Sequence, residues 1–239
     1  MSNPYGAPPP FPDQPLPDVY QQQAPGTPQQ PAPQLPATPR TLATAAIWLA
    51  VALTVAEVAT AVVSYPSGQA SNDVATSSVI DDSTMLWLIG GMILSLGTTI
   101  VMIPVYVIGC LWLQRSYELA LALRPTYRMG RSVVWVWLGW WVPIVSLWFP
   151  LQVVDDVRTA TARDEPRPSL AMWWLAWLVA LVAGQISARV FASEEVLSHD
   201  ALVIVAMLDA LVAVAMVFGC IKWISIIRGI TRDQDAARG

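Results

Sequence analysis

Of 239 residues, hydrophobic side chains make up 55% and charged ones 13%, with a mean hydropathy of +0.50, a composition that excludes an ordinary soluble domain and calls for lipid as solvent. The formal charge of −4 comes with no basic stripe interleaved with aromatics, which sets nucleic acid aside as a partner. Cys110 and Cys220 lie in apolar runs without ligand or redox spacing, so they read as packing residues and no disulfide framework, metal or cofactor is expected.

The first forty residues hold thirteen prolines and seven glutamines. Proline deletes backbone donors and fixes φ, so residues 1–41 are expected to be a disordered, polyproline II-like tail. The tail has neither a basic n-region nor an apolar core, so it does not read as a signal peptide, and the first apolar run is an uncleaved anchor. A helix crosses a hydrocarbon core of roughly 30 Å with about 20 apolar residues. Runs of that kind cover residues 42–64, 86–113, 170–192 and 201–227, and their length without alternation indicates helices. Between the first two, residues 66–83 are small, polar and acidic, and read as an exposed loop. Residues 114–124 continue the second helix past its apolar run, with Tyr117, Leu119 and Leu123 as apolar positions, and Pro125 stops it.

A fifth apolar run, residues 133–149, is short and interrupted by Pro143 and followed by Pro150. It carries Trp135, Trp137, Trp140, Trp141 and Trp148. Indole prefers the headgroup boundary, and each proline removes a helix hydrogen bond, so this run is expected to lie at the interface or to dip in and return. Charge supports that reading. If the run does not cross, twelve of the thirteen Lys and Arg fall on one side, leaving Arg189 alone opposite; if it crosses, the cations divide almost evenly. The positive-inside rule then places both termini in the cytoplasm of a bacterial cell and the chain in its cytoplasmic membrane, as a multi-pass protein. Pro150 suits the first turn of a further helix, and Leu151, Val153, Val154 and Val157 beside Asp155, Asp156 and Arg158 give it an apolar and a charged face. The run Arg163-Asp164-Glu165-Pro166-Arg167-Pro168 ends it. The expected fold is therefore all-α and polytopic: a transmembrane helical domain over residues 42–230 with four transmembrane helices plus one short Trp/Pro-rich re-entrant or interfacial segment, and a short polar cytoplasmic tail at 231–239.

The run Trp135, Gly139, Trp140, Trp141, Pro143, Ile144, then Pro150 and Gln152, resembles the signature of an actinobacterial multi-span membrane-protein family defined as a domain of unknown function. Trp173, Trp174 and Trp177, and Arg228, Ile230, Thr231 and Gln234, fit the same resemblance, which covers roughly residues 42–235. Ser146 and Leu151 depart from it, where the family often has Asn and Tyr. The resemblance implies a multi-span topology with proline-rich amino tails; it implies no activity.

Ionisable groups inside the hydrocarbon are costly and are functional candidates by default. Glu57 lies roughly 22 Å from the inner end of its helix, Gln185 roughly 22 Å and Arg189 roughly 28 Å from the inner end of theirs, and Asp209 roughly 12 Å from the outer end of the last. Three readings are open for this group: Arg189 pairs with one or both carboxylates, a carboxyl is held protonated by burial, or the group faces a water-filled cleft as a substrate or ion site. Thr98 and Thr99 lie at a similar depth. His199 with Glu194, Glu195 and Asp200 matches no trusted metal spacing. No phosphate-cradling loop, His-Glu-x-x-His or Gly-x-Ser-x-Gly is present, so an enzyme is not expected. The leading expectation is a non-enzymatic scaffold or accessory protein whose partners are the lipid bilayer and a membrane or cytoplasmic protein; the alternative is a small transporter or channel-like component working through the intramembrane polar group.

Overall fold

The computed structural model describes residues 35–162, 169–193 and 196–238. The proline-rich residues 1–34, the connector at residues 163–168, and Glu194 and Glu195 lie outside the described residues.

Four helices are long and apolar enough to cross a membrane: α1 (Arg40–Thr76), α2 (Asp82–Leu123), α5 (Ala171–Phe191) and α6 (His199–Arg238). Two short elements lie between α2 and α5, the single turn α3 (Trp135–Leu138) and the helix α4 (Phe149–Thr161), separated by a 3₁₀ turn at Val145–Leu147. Helix α1 packs between α2 and α6, and α6 packs between α1 and α5. Apolar side chains cover the outside of this bundle, with Leu86, Met92, Ile93, Leu96 and Ile103 of α2 all exposed, as lipid-facing residues are. The interior of the bundle is lined instead by small residues, Ala43, Ala46, Ala176, Ala180, Ala183 and Ala213, because helices in lipid associate by close backbone approach rather than by hiding apolar area from water.

Three helices outrun their apolar segments. Helix α1 does not stop at the loop expected over residues 66–83; it runs through Pro66 to Thr76, leaving only a brief connector before Asp81 caps α2 by accepting from Thr84 N at 2.9 Å. Tertiary contacts override the helix-breaking tendency of proline here. The hydroxyl of Ser67 donates to the Trp87 carbonyl at 3.1 Å, and Asn72 both donates to the Leu197 carbonyl (2.7 Å) and accepts from the Leu197 amide (2.9 Å). Gly68 lets Leu202 in, since a Cβ there would stand 2.6 Å from the Leu202 side chain. Helix α2 continues past its apolar run as expected and ends before Pro125. Helix α6 takes in most of the expected polar tail, because Ile227, Ile230 and Gln234 form a buried stripe at helical spacing.

Chain direction alternates, so Arg40, Arg115, Arg124, Arg128, Arg131, Arg158, Lys222, Arg228, Arg232 and Arg238 share one end of the bundle, the basic end. Helix α2 arrives there and α5 departs from there, so residues 133–149 enter and leave on the same side. The large-residue core lies at this end. Trp112, Leu119, Val153, Val154, Val157 and Ile227 are fully buried where α4 packs on α2 and α6, and burial of such side chains is worth about 1.5–3 kcal/mol each. Trp223 stacks on Trp173 at 5.0 Å and meets Trp112 edge-on at 5.5 Å.

Candidate functional site

Two constellations concentrate polar chemistry. The first lies inside the bundle. Glu57, Thr60 and Ser64 recur at i, i+3 and i+7 and so share one face of α1. Ser64 donates to one carboxylate oxygen of Asp209 on α6, and Ser187 on α5 donates to the other at 2.6 Å. The Thr60 and Thr98 hydroxyls meet at 3.5 Å, which joins α2 to the set. Glu57 is half-buried and within electrostatic reach of Asp209. Serine hydroxyls thus take the place of water around a carboxylate that would be costly to bury bare.

Arg189 is not part of this group. Ser187 points inward, and residues two positions away on a helix lie about 200° round, so Gln185 and Arg189 both face outward and are exposed. Of the three readings open from sequence, the ion pair between Arg189 and the carboxylates is not seen among the described residues; Ser64 and Ser187 serve Asp209 instead. Ser64 and Ser187 carried a readable signal that the sequence reading passed over: Ser64 falls seven residues after Glu57, and Ser187 continues the small-residue row Ala176, Ala180, Ala183.

The second constellation fastens the broken segment. Tyr106, Cys110 and Gln114 recur every four residues along one face of α2. The Tyr106 hydroxyl donates to the Trp137 carbonyl at 2.7 Å, the Cys110 thiol to the Val136 carbonyl at 3.3 Å, and the Trp137 indole donates to Gln114 Oε1 at 2.8 Å. Tyr117 donates to the Arg131 carbonyl at 2.9 Å, and the Trp174 indole to the Leu147 carbonyl at 2.8 Å. These bonds serve backbone groups that an irregular chain leaves unpaired. Trp140 packs edge-on against Trp177 at 5.7 Å, and Trp135 against Phe149 at 4.6 Å. The indoles differ in exposure: Trp137 and Trp140 are part-buried within the protein, while Trp141 and Trp148, though edge-on to Tyr106 and Phe149, are 70% and 40% exposed, and Leu138 and Ile144 are exposed as well.

The reversal after Pro143 is a γ-turn, with Val145 N donating to the Pro143 carbonyl at 2.7 Å and Ile144 held at φ 68°. Pro150 then opens α4. Two residues on, Gln152 accepts from Arg131 Nε at 2.8 Å, while the same guanidinium lies 3.9 Å above the Phe149 ring. Asp156 accepts from Gly130 N at 2.9 Å and from the Tyr127 hydroxyl at 3.5 Å. Burial pushes the Asp156 carboxyl up despite those donors, and burial together with the nearby Asp156 and Asp155 charges pushes the Tyr127 phenol up. Residues 127–131 are thus held against the first turns of α4. Gln152 was singled out from sequence and Asp156 read only as part of a charged face; Tyr106 and Gln114 were not singled out.

At the opposite end, Tyr65 OH meets His199 Nδ1 at 3.3 Å and receives Gln69 Nε2 at 3.2 Å, beside a cavity of about 320 Å³ lined by Gln69, Asn72, Asp73, Leu197, His199 and Leu202. Among the described residues no three His, Cys, Asp or Glu side chains gather as metal ligands.

A family model described as a domain of unknown function (DUF4328) matches residues 72–232. The match takes in the broken segment, α4, Ser187 and Asp209, and begins after Glu57 and Ser64. No curated protein matches, and no solved structure does.

Proposed function

The chain belongs to the DUF4328 family, and we propose that it acts as a non-enzymatic scaffold or accessory protein of the bacterial cytoplasmic membrane, with both termini in the cytoplasm. One observation carries this reading: the best-packed part of the molecule is the fixed platform at the basic end, where α2, α4 and α6 bury a core of large side chains and the Trp-rich segment is tied down by α2. The exposed Trp141, Ile144 and Leu138 immerse in the headgroup boundary, where indole is favoured, and set the depth of the platform. Arg228 and Arg232, one turn apart and exposed on α6, offer an acidic protein partner a basic face. Concentration of the cations at this end supports the cytoplasmic orientation. The test is co-purification in zwitterionic lipid nanodiscs, in which the wild-type chain retains a partner and Arg228→Glu with Arg232→Glu loses it at unchanged thermal stability. Equal retention by both forms, or none by either, sinks the proposal.

A second reading is favoured by the intramembrane carboxyls: a small transporter or channel-like component working through Glu57 and Asp209 with the Ser64 and Ser187 hydroxyls. Reconstituted ion or solute flux is then abolished by Glu57→Gln or Asp209→Asn. Flux that survives both substitutions removes this reading.

A further inference from the structure

We propose that the outward face of α5 is a self-association surface that seats a second copy of this chain, with the two α5 helices parallel across a two-fold axis normal to the membrane and their Gln185 carboxamides hydrogen-bonded to each other. The proposal stands apart from either functional reading above.

Among the described residues α5 packs extensively on α6 alone of the helices, and beyond its first two turns, where Trp174 and Trp177 meet the broken segment, its outward face has no neighbour. Gln185 faces away from the bundle, opposite Ser187, and is exposed. It lies about 21 Å along α5 from Ala171 and about 9 Å short of Phe191, which is inside a hydrocarbon layer of about 30 Å. Short hydroxyl side chains on lipid-facing surfaces can close on their own helix, as where Thr99 donates to the Ser95 carbonyl at 3.0 Å and Thr44 to the Arg40 carbonyl at 3.0 Å. Hydroxyls can do this routinely. Gln185 makes no hydrogen bond among the described residues, and acyl chains supply neither donor nor acceptor to its amide.

A carboxamide is both donor and acceptor, and is therefore its own complement. A two-fold axis along the membrane normal places Gln185 of each copy at the same depth by construction, which an unrelated partner would have to match with a polar group of its own. Beside Gln185, α5 and α6 form an apolar groove of about 360 Å³ lined by Leu178, Val179, Val182, Ile186, Leu208 and Leu211. Val182 and Ile186 are 54% and 46% exposed, and they supply the side chains that enter the facing groove of the other copy. Arg189, one turn further on, reaches the headgroups with its guanidinium, so its charge stays out of the contact.

The full chain, labelled at its amino terminus and reconstituted in liposomes, is followed by single-molecule photobleaching as protein is diluted in lipid. We expect dimers whose half-dissociation density rises roughly three- to thirty-fold in Gln185→Leu, the span that intramembrane hydrogen bonds cover, with partial recovery in Gln185→Asn. Oxidation is expected to cross-link Val182→Cys into a covalent dimer, while Leu96→Cys on α2 and the parent chain, with its native Cys110 and Cys220, are not cross-linked. If Gln185→Leu fails to fold, the Val182→Cys comparison decides. Monomers at every density, a Gln185→Leu variant that dimerises like the parent, or equal cross-linking at Leu96→Cys and Val182→Cys overturns the proposal.

Discussion

Ile144 is a β-branched residue held at φ 68°, a region that costs a non-glycine residue about 1–3 kcal/mol. Its side chain is 69% exposed and contributes little packing that would offset that strain. Replacing it with glycine relieves the strain at the one position where a positive φ demands it, so Ile144→Gly is expected to unfold at a higher temperature in detergent, by up to about 1 kcal/mol of stability, as read by tryptophan fluorescence. A lower midpoint would show that the isoleucine side chain holds the turn. The polar residues of the bundle teach a related lesson. Glu57 and Asp209 are legible from sequence, because any carboxyl in an apolar run stands out. Their partners were less legible, since the choice between Ser187 and Arg189 depends on how α5 is rotated, and a helix in lipid has no apolar face to mark its inside. The row of small residues ending in Ser187 marks it instead.

At the scale of elements, the four-residue spacing of Tyr106, Cys110 and Gln114 makes α2 a rack for a segment that cannot pair its own backbone. Phenylalanine at 106 and leucine at 114 would leave the part-buried Trp137 carbonyl and indole without those partners, at up to about 1 kcal/mol each, since the penalty for an orphaned polar group shrinks with exposure. The double variant Tyr106→Phe with Gln114→Leu is expected to exchange amide hydrogens faster across residues 135–149, with Thr99→Val as an unaffected control; unchanged exchange would mean the packing of Trp140 and Trp174 suffices. That this segment does not form a spanning helix was readable, because Pro143 and Pro150 sit where a spanning helix would need donors. The extension of α1 beyond Pro66 was not, because the stop rule is local and what overrides it, Leu202 against Gly68 and Leu197 on Asn72, comes from more than a hundred residues away. The extension of α6 could have been found: Ile227, Ile230 and Gln234 keep helical spacing through a run that composition alone marks as polar.

For the whole molecule, the sorting of cations to one end was legible from charge and helix alternation alone, whereas the close packing of that end was not, since it depends on which faces of α2, α4 and α6 meet. Topology follows as a prediction at this scale. Single cysteines replacing Arg128 and Arg228 should react with an impermeant thiol reagent only from the cytoplasmic side, and one replacing Ser78 only from the other; reaction of the first two from opposite sides would overturn the arrangement. Side chains join α1 to α6 and its lead-in at three levels, by Arg40 with Asp235 at 3.0 Å, by Ser64 with Asp209, and by the Asn72 carboxamide with the Leu197 backbone just ahead of α6 at 2.7 Å. Arg40 and Asn72 are about 48 Å apart along α1. Though the exposed Arg40 pair is weak by itself, three rivets spread over that distance stop the two rods from sliding or scissoring past one another. They act as one strut, against which α2 packs on one flank and α5 on the other.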